Sequence, residues 1–139
     1  IQIRNFDAFK DVYGFIAAND ILRFTGKLLG EVIDAQNKVD DFIGHAGGSN
    51  FVVITAEESA GNIEQQLKAR FNDESRSHYN FMDREQGYVV VPNSDGKEGQ
   101  KVPLMTLGIG VVSPSSHEFA DIRELTELAA DERRKDIRA

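Results

Sequence analysis

The residues of this chain that invite a chemical reading lie in His45-Ala46-Gly47-Gly48-Ser49-Asn50-Phe51, followed at once by Val52-Val53-Ile54-Thr55. A Gly-Gly pair between the apolar runs Asp41 to Ala46 and Phe51 to Thr55 predicts a β-hairpin, because such turns need positive φ, which glycine adopts without steric penalty. Ser49 and Asn50 are then held at the hairpin tip, close to whatever the turn approaches. A divalent cation there would need carboxylate oxygen, and serine and asparagine carry no charge. Other candidate groups offer less. His45, His78 and His117 show no metal-ligand spacing. Ser113, Ser115 and Ser116 stand beside His117, but neighbours in one loop do not make a nucleophile–base triad. Asp121, Glu124 and Glu127 read as the solvated face of a helix. The absence of cysteine excludes disulfides, thiolate metal sites and a cysteine nucleophile.

The elements that position the Gly-Gly turn follow from periodicity. Ile1 to Arg4 predicts an extended strand. Phe6, Phe9, Val12 and Tyr13 recur at helical spacing until Gly14 stops them. A second helix is expected to begin near Asn19 or Asp20, with Asn19 as N-cap. Ile21, Leu22, Leu28, Leu29, Val32 and Ile33 form its buried stripe. Asp34 to Asp40 reads as a polar loop. A third helix is expected from Glu57 to Phe71. Residues 72–84 are polar and give no period. Gly87 to Val91 predicts a strand and Asp95 to Gly99 a solvated turn. Val102 to Val112 predicts a long strand in which Gly108 and Gly110 permit a bulge or close backbone approach. A last amphipathic helix is expected from about Glu118, turning Ile122, Leu125 and Leu128 inward. The order β-α-α-β-β-α-β-β-α predicts an α+β fold with a central, mostly antiparallel sheet flanked by helices.

Composition sets the outer limits. The 139 residues suit one domain, 1–139, which can bury roughly 70% of its unfolded surface. A net charge of −7 argues against a nucleic-acid surface, since phosphate neutralisation needs clustered Lys and Arg. No apolar run approaches the ~20 residues that span a bilayer, so no membrane insertion is expected of this domain. Missing cysteine is compatible with a reducing cytoplasm, the expected location. The chain opens on Ile1-Gln2-Ile3 without methionine, and a piece of a longer protein is expected.

Taken in order, these segments resemble the GGDEF domain of diguanylate cyclases, over nearly the whole chain. Asn5-Phe6-Asp7-Ala8-Phe9-Lys10-Asp11-Val12-Tyr13-Gly14-Phe15 is similar to the family's hFKxhNDxYGH stretch, without a gap. Ala18-Asn19-Asp20-Ile21-Leu22 stands where the family has GDxxL. Gly47-Gly48-Ser49-Asn50-Phe51 stands for GGDEF itself, and Thr106 to Val111 resembles the later TxSIGV strand. The resemblance implies a nucleotidyl-cyclase-like, ferredoxin-like palm. It also implies a site at which the family joins GTP molecules into cyclic di-GMP with divalent cations.

The departures are concentrated at that site. The positions of the family's metal carboxylates are Gln2 and Ser49, and its second signature carboxylate is Asn50. The phosphate-holding Lys of the family's FK pair, whose aromatic corresponds to Phe6, is Asp7. The guanine-reading Asn and Asp correspond to Lys10 and Asn19; lysine has only donors. Gly47 and Gly48 remain. A competing registration lays Asn5 to Lys10 over DxDxFK, keeping Asp7, Phe9 and Lys10, but needs a deletion before Gly14 and puts Asn5 at the metal position. Either way the resemblance implies an inactive cyclase with no metal and no cofactor, Mg²⁺ being expected only if activity is retained. The family's inhibitory RxxD motif reads Lys38-Val39-Asp40-Asp41, and lysine lacks the planar fork that grips guanine and phosphate together. The expected function is a regulatory or dimerising module in cyclic di-GMP-type signalling. The alternative is a non-catalytic receptor for GTP or cyclic di-GMP, and residual cyclase activity is the least favoured. Expected partners are a fused sensory or output domain, another protein or a second copy, with at most weak nucleotide binding.

Overall fold

The computed structural model describes residues 1–36, 41–94 and 99–136. Lys38 and most of the expected solvated turn at 95–99 lie outside them. The elements run β1 (Gln2–Arg4), α1 (Phe6–Tyr13), α2 (Phe15–Asp34), β2 (Phe42–His45), β3 (Phe51–Ile54), α3 (Glu57–Glu74), a 3-10 turn (Ser75–His78), α4 (Phe81–Gln86), β4 (Tyr88–Val91), β5 (Gln100–Pro103), β6 (Thr106–Gly108) and α5 (Ile122–Lys135). The architecture is α+β, as the periodicity requires, with five α-helices among the described residues.

The sheet is smaller than expected. It consists of short antiparallel ladders, β1 with β6, β2 with β3 and β4 with β5. The hairpin nevertheless adjoins the free edge of β1. The Ile3 N–H donates to the Ser49 carbonyl at 2.9 Å, the Phe51 N–H donates to the Ile1 carbonyl at 2.8 Å, and Gln2 bridges Asn50. The long strand expected over Val102–Val112 is broken in two. Pro103 has no N–H to continue a ladder, and the Met105 N–H is diverted to the Tyr79 hydroxyl at 2.8 Å. β6 stops at Gly108 because the next donor, Ile109 N–H, goes to Asp136 Oδ2 at 2.9 Å.

Other boundaries shift for identifiable reasons. Gly14 adopts φ 92 and ψ 174, donates its N–H to the Lys10 carbonyl and accepts from Ala18 N–H. It therefore ends α1 and starts α2 by itself, and Asn19 lies inside α2 rather than capping it. α5 begins at Ile122 and not near Glu118, because Asp121 caps the Glu124 N–H at 2.9 Å while Glu124 reaches back to Ala120 N–H. Ile122 is 76% exposed, correcting its expected inward placement, and Leu125 and Leu128 are only half-buried. Asp121, Glu124 and Glu127 are exposed as expected. The polar stretch that gave no period completes α3 and supplies the 3-10 turn and α4, which Asn80 caps and Gly87 closes at φ 83.

The core gathers Ile3 and Leu107 from the β1–β6 ladder, Phe9 from α1, Ile21, Leu28 and Leu29 from α2, and Ile63, Leu67 and Phe71 from α3. An aromatic triangle of Phe9, Tyr13 and Tyr79 has centroid separations of 4.8, 5.2 and 5.6 Å. It pins the segment before α4 onto α1, where the Tyr13 hydroxyl donates to Asp83 and accepts from Asn80 N–H. Burial pushes the Tyr79 phenol up to about 12, against the opposing pull of the Met105 N–H that it accepts. The neutral form is thus favoured in the fold. Its contribution to stability is complete below the unfolded value of about 10 and is lost as pH rises through about 12. Tyr79→Phe is expected to cost roughly 1–3 kcal/mol by orphaning a buried N–H. It should also flatten the fall of the urea midpoint above pH 10. An unchanged alkaline slope would contradict this account.

Candidate functional site

β1 ends at Arg4, and Asn5 turns the chain into α1 in the left-handed region, at φ 64. Asparagine tolerates that region better than most residues, but its side chain makes no capping bond here. The Gly-Gly turn comes to rest against the same corner. Gly47 and Gly48 have φ 93 and 54, so the positive-φ requirement read from the sequence is met by the residues that meet it most cheaply. The turn is closed by Asn50 N–H to the Gly47 carbonyl at 3.0 Å, and the Asn50 side chain also donates to that carbonyl at 3.3 Å. His45 Nε2 contacts the Gly48 carbonyl at 2.8 Å, and its ring stacks on Phe51. His45 is thus a structural brace of the hairpin.

Between these parts lies an open cleft of about 430 Å³. Gln2 and Arg4 from β1, Ser49 from the hairpin tip, and Asn5, Phe6 and Asp7 from the start of α1 form most of its wall. Six of the sequence-nominated or neighbouring positions are thereby brought together over 47 residues of chain, from Gln2 to Ser49. Asp7 is exposed and Phe6 is buried beneath the wall. Lys10 and Asn19 do not line the cleft. Lys10 is exposed in the last turn of α1. Asp41 accepts from the Thr55 hydroxyl at 2.9 Å and ties the open end of the hairpin instead of facing the cleft.

Behind the cleft is a second layer that the sequence did not reveal. The Arg4 guanidinium donates through Nη2 to the Arg133 carbonyl at 2.9 Å and to the Asp136 carbonyl. Arg133 Nη1 reaches Asn50 Oδ1 at 3.4 Å. Asp136, 8% exposed, takes Lys68 Nζ at 2.7 and 2.6 Å on its two oxygens. Period-2 alternation from Gln2 puts Arg4 on the same strand face, a signal that could have nominated it. Nothing local announces Arg133 or Asp136, which lie more than eighty residues from Asn50 and Lies in α5 or just after it.

The remaining candidates fall elsewhere. Ser116 Oγ lies 2.7 Å from His117 Nδ1, and His117 Nε2 lies 3.5 Å from Glu132. The N–H groups of Ser116 and His117 are both spent on the Ser113 carbonyl, so neither of these two is free to stabilise an oxyanion. Among the described residues, no cluster of three or more His, Asp or Glu could hold a metal ion, and no helix is long and apolar enough to cross a membrane. No protein-family model, curated protein or solved structure matches the chain.

Proposed function

We propose that this chain is a degenerate GGDEF-like domain that acts as a regulatory or dimerising module of a signalling protein and does not turn over GTP. One observation carries the reading. Gln2 of β1 and Ser49 of the adjoining hairpin tip, the positions at which the resemblance expects metal carboxylates, line one cleft. Both are neutral, and the next position, Asn50, is engaged by the Arg133 guanidinium. This donor set does not fit Mg²⁺, which needs carboxylate charge to compete with water, and a neighbouring guanidinium repels it further. No catalytic step through a metal follows from these residues.

Contact with another protein is supported by the surface. Phe42 pairs across the hairpin with Ile54, and Val52 shares their face; they are 55, 59 and 45% exposed. Phe15, Ile16, Phe81 and Met82 are also largely exposed. Apolar surface grouped in this way marks association more often than chance.

The second reading, a nucleotide receptor, is favoured by the cleft itself, whose volume suits a small ligand. Its charge opposes a triphosphate, because Asp7 stands in the wall and Lys10 does not. GTP and cyclic di-GMP are therefore expected to bind no tighter than about millimolar, roughly −4 kcal/mol. Titration calorimetry at moderate salt checks this. A micromolar isotherm abolished by Ser49→Trp would establish the receptor reading. The same isotherm abolished by Lys38→Ala would place the ligand at the remnant inhibitory motif.

A further inference from the structure

A strand edge presents a row of backbone donors and acceptors, and β2 is the outer strand of the hairpin, paired with β3 alone among the described residues. The register settles which of its groups face outward. The Ala46 N–H donates to the Asn50 carbonyl at 2.9 Å, so in this antiparallel ladder the pairs Gly44 with Val52 and Phe42 with Ile54 exchange hydrogen bonds in turn. Ile43 and His45, at the intervening positions, direct their N–H and C=O groups away from β3. On the other side of the hairpin the equivalent position, Phe51, exchanges both of its backbone groups with Ile1. Among the described residues nothing does the same for Ile43 and His45.

Edges of this kind are ordinarily blunted by Lys, Pro, a bulge or a covering element. β2 reads Phe42-Ile43-Gly44-His45, with neither Lys nor Pro, and its register with β3 runs without a bulge. Its shortness is its one safeguard, and it limits how tightly a partner can hold. His45 does not overhang the edge, because its Nε2 is turned back to the Gly48 carbonyl and its ring stacks on Phe51. Charge is missing as well. In a chain of net charge −7, positions 42–46 and 51–54 contain no Asp, Glu, Lys or Arg, so two copies can meet here without burying like charges.

We propose that β2 is the seam of a symmetric dimer, in which the β2 strands of two copies pair antiparallel about a two-fold axis at Gly44; this rests on the dimerising reading above and gives it a surface. The pattern is self-complementary. Ile43 of one copy stands opposite His45 of the other, and each such pair exchanges both N–H···O bonds, so every outward-facing group of these residues is satisfied. Gly44 then faces Gly44 of the second copy, and Phe42 lies beside that copy's Ala46 and diagonal to its Gly44. The Phe42 ring already covers Gly44 of its own chain, where a Cβ would meet Cε1 at 3.0 Å. The second glycine, equally bare, leaves room for the ring across the seam. Phe42, 55% exposed, thereby gains cover. None of the β2 residues lines the cleft, so the seam is independent of nucleotide binding.

Analytical ultracentrifugation of the whole chain should show a reversible monomer–dimer equilibrium, with a dissociation constant on the order of 10 µM, the strength that suits a small interface. Amide hydrogen exchange locates the contact: Ile43 and His45 should gain protection as concentration rises through that range. Ile43→Pro removes an outward N–H and no hydrogen bond of the hairpin itself, and should weaken dimerisation at least about tenfold. Phe42→Lys, at an exposed position, should do the same by removing the ring and adding like charge at the seam. Adding Ala46→Glu to Phe42→Lys sets opposite charges across the seam and should restore association. A chain that stays monomeric at every concentration, its β2 edge left to a strand of some other protein, would overturn the proposal. So would a dimer that survives Phe42→Lys, a failure of Ala46→Glu to rescue it, or β2 amides already protected in the monomer. If Ile43→Pro does not fold, the Phe42→Lys and Ala46→Glu pair decides the matter alone. A dimer formed through another surface would sink the seam and leave the dimerising reading standing, whereas GTP turnover would sink that reading without moving the seam.

Discussion

Incubated with GTP and Mg²⁺ or Mn²⁺, the purified protein is expected to form no cyclic di-GMP. The barrier to phosphoryl transfer is lowered chiefly by charge placed where charge develops, and each such group lost costs on the order of 10²-fold or more. Gln2 and Ser49 remove the anchoring charge for metal, and Asp7 adds a repulsive one in the same wall. The double substitution Ser49→Asp with Asn50→Glu is expected to leave the protein inactive. Gln2 and Asp7 remain, and a carboxylate at position 50 would be taken up by Arg133, now 3.4 Å from the Asn50 oxygen. Chromatographic product that scales with protein concentration would refute the first expectation. Turnover by the double variant would show instead that β1 is misaligned with the family's strand.

Asp136→Ala should be the most damaging single substitution outside the apolar core, lowering stability by about 3–5 kcal/mol. Lys68 is 7% exposed and meets Asp136 at 2.6 Å, with Glu64 farther away at 3.4 Å. Removing the nearer carboxylate leaves the ammonium with one weaker partner and strips the buried Ile109 N–H of its acceptor. Replacing both partners, as Lys68→Met with Asp136→Leu, should recover much of the loss, because an apolar pair of similar volume requires no desolvated charge. Urea denaturation of the single and double variants measures the difference. A loss below about 1 kcal/mol for Asp136→Ala would mean that water reaches the pair and screens it.

Local rules made much of this molecule readable, and long-range contacts account for the remainder. α1 ends at Gly14 as its spacing requires, α3 begins at Glu57, and the Gly-Gly turn has the positive φ that its sequence demands. Gly110 does permit the close backbone approach that a glycine in a strand suggests. The errors share another origin. The strand after Val102 breaks because Tyr79 and Asp136 capture the N–H groups of Met105 and Ile109, and neither acceptor is visible in a window of neighbouring residues. Asn19 was a fair cap candidate on type alone, but Gly14 had already supplied the boundary. At the cleft, the sequence nominated Gln2, Asn5, Phe6, Asp7 and Ser49, which converge, and also Lys10 and Asn19, which do not. Arg133 was out of reach because its relation to Asn50 exists only once α5 has docked.

The bonds from Arg4 to the end of α5 join residues 129 and 132 positions apart. Closing so long a loop carries an entropic cost that local contacts do not share, and such contacts tend to form late in folding. During synthesis β1 is made before β6, its ladder partner, and before the last turn of α5, and must wait for both, while α1, α2 and α3 can already assemble by short-range contacts. Until then the edge of β1 has only the hairpin to pair with. Arg4 therefore gains these partners only after α5 has been made, and substitutions in the Arg4–Asp136 grip should act mainly by hastening unfolding, since a contact absent from the folding transition state cannot slow its formation.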